Sequence, residues 1–156
     1  MVMAEEKQAI VFVRDEISEL ILLVATEKGA FLYYSDSDRR HWDVNGPHFL
    51  GSVVHHLVLD PRDNKTLLAS VQSRQSGVTI YWSKDFGKTW NPATKPPVFP
   101  QDKHKRKVDH IYYLTPGHDS EGKVWYAGTS PQGLFRSEDG GDTWGFIEGF
   151  NSNSNW

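Results

Sequence analysis

Cysteine is absent from the 156 residues. Disulfides, thiolate nucleophiles and cysteine-ligated zinc or iron–sulfur centres are excluded with it. Long apolar runs are missing too. No stretch approaches the roughly 18 residues that a membrane-crossing helix needs, so no membrane partner is expected. Charge of one sign is scarce: the net charge is −3, which gives no general electrostatic case for nucleic acid. Residues 1–16 are acidic and lack a long apolar core before a small-residue cleavage site, so a cytoplasmic location is expected. No phosphate loop, dinucleotide-binding glycine fingerprint or G-x-S-x-G elbow occurs. No 3.6-residue apolar period is sustained, so no helix of ordinary length is predicted. Abundant instead are tryptophan, with six, and glycine, with thirteen. Recurrent glycine and aromatic residues are a cue for all-β repeat architecture.

A repeat is present. Ser83-Lys-Asp85-Phe-Gly87-Lys-Thr89-Trp90 and Ser137-Glu-Asp139-Gly-Gly141-Asp-Thr143-Trp144 both read S-x-D-x-G-x-T-W. A third copy, residues 35–42, keeps only Ser35 and Trp42 in register. The spacing is roughly 50 residues, the length of one four-stranded propeller blade. The flanks repeat as well. A glycine-led apolar run precedes each box, beginning at Gly29, Gly77 and Gly133. Another run precedes each of those, at 20–25, 66–70 and 123–128, and further runs lie at 54–59 and 108–113. These short runs, bounded by turn residues such as those at 60–64 and 115–117, read as strands. The prediction is an all-β partial propeller of three four-stranded antiparallel blades, at about 9–46, 52–95 and 107–150, in one domain with a polar tail at 151–156. Residues 9–13 supply the first strand of the first blade.

The box residues have structural work to do. Asp85 and Asp139 are expected to accept backbone N–H groups two residues on. Gly87 and Gly141 supply positive φ, Ser83, Thr89, Ser137 and Thr143 satisfy turn groups, and Trp90 and Trp144 bury large rings between layers.

These boxes resemble the Asp-box, or BNR, repeat of the sialidase-like β-propeller superfamily. Residues 22–31, 54–63 and 133–141 are similar to bacterial BNR-repeat glycosyl hydrolases. The resemblance implies a ring of about six to eight blades, of which this chain carries about half. It also implies that the remaining blades come from a longer chain or from self-association, as when two arcs close a ring about a twofold axis. The sialidase catalytic set is not evident: no Arg-Ile-Pro occurs, and Arg39, Arg40, Arg62 and Arg136 fall in or beside turns. Propeller folds alone license no reaction.

Four residues form the candidate ligand site. Aligning Val54-His55-His56 with Val108-Asp109-His110 places His56 beside His110, and matches His55 to Asp109, on the innermost strands that line a propeller channel. Such a group grips a polar ligand, and His56 with His110 are the pair a divalent metal would use; packing and water account for the same imidazoles without either. No cofactor is otherwise called for. Asp109 is the sole acid within a first-strand run and hence the catalytic candidate, but a glycosidase needs two carboxyls. Its partner would lie beyond this chain or on a second copy. Residues 101–107 form a basic run whose simplest role is a solvated connection. The sequence therefore favours a non-catalytic binding or scaffold propeller, taking carbohydrate or a small polar ligand, over a sialidase- or xyloglucanase-like glycoside hydrolase.

Overall fold

The computed structural model describes residues 20–100 and 106–152. The predicted strand at 9–13, most of the basic run and the end of the tail lie outside those residues. Within them the fold is all-β: three antiparallel sheets arranged as a partial, unclosed β-propeller. The first sheet holds β1 (Leu20–Thr26), β2 (Gly29–Ser35) and β3 (Trp42–His48) in that order. The second holds β4 (Val53–Leu59), β5 (Leu67–Ser73), β6 (Gly77–Ser83) and the two-residue β7 (Asn91–Pro92). The third repeats this with β8 (His110–Pro116), β9 (Trp125–Ser130), β10 (Gly133–Ser137) and β11 (Gly145–Phe146). A single helical turn, α1 (Glu148–Asn151), follows. The Asn151 side-chain amide donates to the Leu134 carbonyl and its oxygen accepts the Leu134 N–H, so α1 occupies the edge of β10 where β11 has ended.

The sheets bury their faces against one another, as strands with nearly continuous apolar sequence require. Ala30 and Leu32 from the first sheet meet Val54, Leu67, Ala69 and Val71 of the second. Leu68 and Ile80 from the other side of the second sheet meet Ile111, Trp125, Ala127 and Phe135 of the third. Strand β4 lies against both β1 and β8.

Each box turn closes on its own serine. Ser83 Oγ donates to Asp85 Oδ1 at 2.7 Å and accepts the Gly87 N–H at 2.8 Å. Asp85 then accepts both the N–H and the hydroxyl of Thr89, at 2.9 and 2.6 Å. Ser137, Asp139, Gly141 and Thr143 repeat the arrangement. The carboxylates thus reach four residues on, where the sequence predicted two, because the serine hydroxyl takes the nearer N–H groups. Burial pushes the Asp85 and Asp139 carboxyls up, but the bonds from threonine and serine outweigh it and hold both below the usual carboxylate range. Gly141, at φ +100°, sits where a Cβ would lie 2.9 Å from Leu68 of the preceding sheet, so the box turn also sets how closely two sheets approach. In the degenerate first box Ser35 Oγ donates instead to the His41 carbonyl at 2.7 Å.

Two further bridges cross between sheets. Trp90 donates its indole N–H to His48 Nδ1 at 3.3 Å, tying the second box to β3. Arg62 grips Asp60 through two 2.8 Å bonds. The same guanidinium donates to the carbonyls of Glu121 and Val124, at 3.1 and 3.0 Å, in the third sheet's β8–β9 turn.

Candidate functional site

His55 and His56 lie on β4 and His110 on β8, the first strands of the second and third sheets, and Asp109 immediately precedes β8. Each strand carries one bulge, between Val54 and His56 in β4 and between Ile111 and Tyr113 in β8. A bulge inserts one residue and re-aims the side chains around it; the inserted residues are His55 and Tyr112. Superposing the bulges pairs Val54, His55, His56 and Leu57 with Ile111, Tyr112, Tyr113 and Leu114. The outer members of both quartets are buried. The sequence alignment of His56 with His110 and of His55 with Asp109 is therefore three residues out of register. It followed the recurrence of histidine, whereas the fold follows the recurrence of buried aliphatic residues.

The side chains nevertheless converge. The His55 and His110 rings meet edge to face with centroids 5.0 Å apart. Tyr112 stacks on His110 at 5.3 Å and 9° and touches His55 at 5.7 Å. His55 Nε2 lies 3.1 Å from Gln72 Oε1 on β5, and since an amide oxygen only accepts, Nε2 is the donor. Beside this group His56 stacks on Tyr113 at 4.8 Å. Its Nδ1 accepts the Leu114 N–H at 3.1 Å across the sheet junction. His56 is consequently neutral, with its proton on Nε2, and burial pushes its pKa down. Tyr112 and Tyr113 are 55% and 60% exposed, so one face of each ring is open to solvent.

This is a stacking surface with a few fixed polar atoms. Among the described residues no group of three or more histidine, aspartate or glutamate side chains comes together to hold a metal ion. His56, paired with His110 by sequence, is engaged instead by Leu114 and Tyr113. Asp109 is exposed, and its N–H donates to the Ser130 carbonyl at 2.8 Å. Asp60 is taken up by Arg62, and Asp63 by the N–H groups of Lys65 and Thr66. By sequence Tyr112 and Tyr113 are among the aromatic residues able to stack sugars, with packing between sheets the larger share of their role, and Gln72 carries no signal. The signal for the tyrosines is an aromatic pair in a first strand at the place where the preceding sheet has His55-His56.

No family model matches the chain, and no curated protein matches it. Among solved structures it is similar to the GH74 xyloglucanase from Xanthomonas campestris, with a TM-score of 0.56 and 20% identity. The match covers 76% of this chain and 19% of that one, so the chain spans about a fifth of the length of its structural relative. At that identity the likeness is one of fold alone. It does not single out a sialidase-like superfamily. Among the described residues no helix is long and apolar enough to cross a membrane.

Proposed function

We propose that the chain is a non-catalytic binding segment of an Asp-box propeller, offering the inner ends of its sheets to a carbohydrate or another small polar ligand with a flat apolar face. The observation that carries this reading is the open aromatic and imidazole surface of His55, His110, Tyr112, His56 and Tyr113. Exposed rings stack on the apolar face of a sugar, and His55 and His110 orient its hydroxyls. Calorimetric titration with xyloglucan oligosaccharides and with unrelated oligosaccharides tests it. Binding is expected to weaken at least about tenfold, or roughly 1.4 kcal/mol, in Tyr112→Ala and in Tyr113→Ala. No binding of any sugar by the folded protein sinks the carbohydrate reading.

A second reading, glycoside hydrolysis, draws on the similarity to a xyloglucanase. It needs a carboxylate within about 5–10 Å of Asp109, supplied by a further blade or a second copy. A panel of chromogenic glycosides, with Asp109→Asn as control, decides it: turnover lost in that variant overturns the non-catalytic reading.

A further inference from the structure

The three sheets share one register, fixed by their box serines. Leu20, Leu67 and Trp125 stand opposite Ser35, Ser83 and Ser137. Corresponding positions can therefore be compared from sheet to sheet. The face that each sheet turns toward the sheet before it carries Leu67, Ala69 and Val71 in the second, and Trp125, Ala127 and Phe135 in the third. All six are at most 2% exposed. In the first sheet the same positions hold Leu20, Leu22, Val24, Phe31 and Tyr33, and β3 adds Trp42 and Val44, which stand opposite Ser35 and Tyr33. That face is mostly apolar, yet Leu22 is 49% and Val44 57% exposed. Among the described residues no sheet lies upon it. Among them β1 is also the edge of its sheet, and a strand paired there would widen the sheet and leave the face open.

The opposite end of the arc carries the matching half. The face that each sheet turns toward the next carries Ile21, Leu23, Leu32 and Tyr34 in the first, and Leu68, Ile80 and Trp82 in the second. In the third sheet those positions are Tyr126, Gly128, Leu134 and Arg136. Arg136 is paired with Glu138 and with Glu121, at 3.6 Å in the latter case. It also holds an open hollow of about 640 Å³ whose lining includes Lys95, Tyr126, Arg136, Glu138, Trp144 and Phe146.

We propose that the chain associates head to tail with a second copy of itself, the open face of the first sheet receiving the outer face of the third. The contact continues the two inter-sheet interfaces already within the chain, and Phe31 and Tyr33 of one copy enter the hollow of the other. Such a heterologous contact closes into a ring when the rotation permits and otherwise extends. The proposal goes beyond ligand binding and is tested without any ligand.

Light scattering on the purified chain over a range of concentrations is expected to give masses above that of one chain. Leu22→Lys/Val44→Lys and Leu134→Lys each block one face, and each is expected to be monomeric alone. Mixed, they retain one intact face apiece and form a one-to-one dimer that grows no further. A wild-type chain that stays monomeric overturns the proposal, whether residues 1–19 or an unrelated protein covers the face. So does association that survives Leu134→Lys, which would mean face-to-face pairing of first sheets or non-specific aggregation. Circular dichroism checks that each variant is folded, and Val44→Lys alone replaces the double variant should that one unfold.

Discussion

At the scale of single residues, the box turn is a set of hydrogen bonds built from four positions. Asp85 holds both polar groups of Thr89 while Ser83 bonds Asp85 and Gly87. Removing the carboxylate leaves several donors without an acceptor, and hydrogen bonds to a charged group contribute about 1.5–3 kcal/mol. Asp85→Ala is therefore expected to lower unfolding stability by about 2 kcal/mol in urea titration; a loss under about 0.5 kcal/mol would contradict the turn's role. The residue types and their spacing made the box legible in the sequence. The exact donors were not, because Ser83 and Asp85 compete for the same N–H groups and only the folded turn decides between them.

At the scale of elements, the sheets are tied by side chains that reach across their junctions. Arg62 follows Asp60 in a turn, and turn formation alone accounts for the local sequence. The fold adds a second task, since its guanidinium caps two carbonyls of the next sheet, 59 and 62 residues away. The side chains of Arg62 and Asp60 are only 7% and 4% exposed. Breaking a buried pair by removing one partner costs about 3–5 kcal/mol. Arg62→Ala is expected to reach that range in thermal or urea unfolding, whereas Asp60→Leu/Arg62→Met is expected to lose less than the single variant. Equal losses in both would show that the carbonyl contacts, not the stranded aspartate, dominate. No feature of residues 60–63 announces this bridge, for its acceptors are backbone atoms and carry no sequence signature.

At the scale of the whole molecule, both junctions use a histidine that has to be neutral. His48 accepts the Trp90 indole N–H between the first and second sheets, and His56 accepts the Leu114 N–H between the second and third. Burial pushes both below their ordinary value of 6.5. A histidine whose folded pKa is depressed contributes stability that is present above its unfolded pKa and lost as the pH falls through the folded one. The arc is expected to hold its melting temperature above about pH 6.5 and to lose it progressively in more acid solution. His56→Asn keeps an acceptor for Leu114 without titrating, so its melting temperature is expected to fall less steeply. An equal slope in wild type and in His56→Asn would refute that assignment. The carboxylates of Asp85 and Asp139, held low, add a separate loss only below about pH 4.

Residue order alone determined the repeat, the strands and the box turns, because each depends on contacts within a few residues: glycine for positive φ, a carboxylate near a hydroxyl, short apolar runs between turns. Tertiary structure decided the register of β4 against β8, the pairing of His55 with His110, the reach of Arg62 and the open face of the first sheet. Those depend on where bulges fall and on which aliphatic side chains can be buried together. Such choices are made between sheets and not within them.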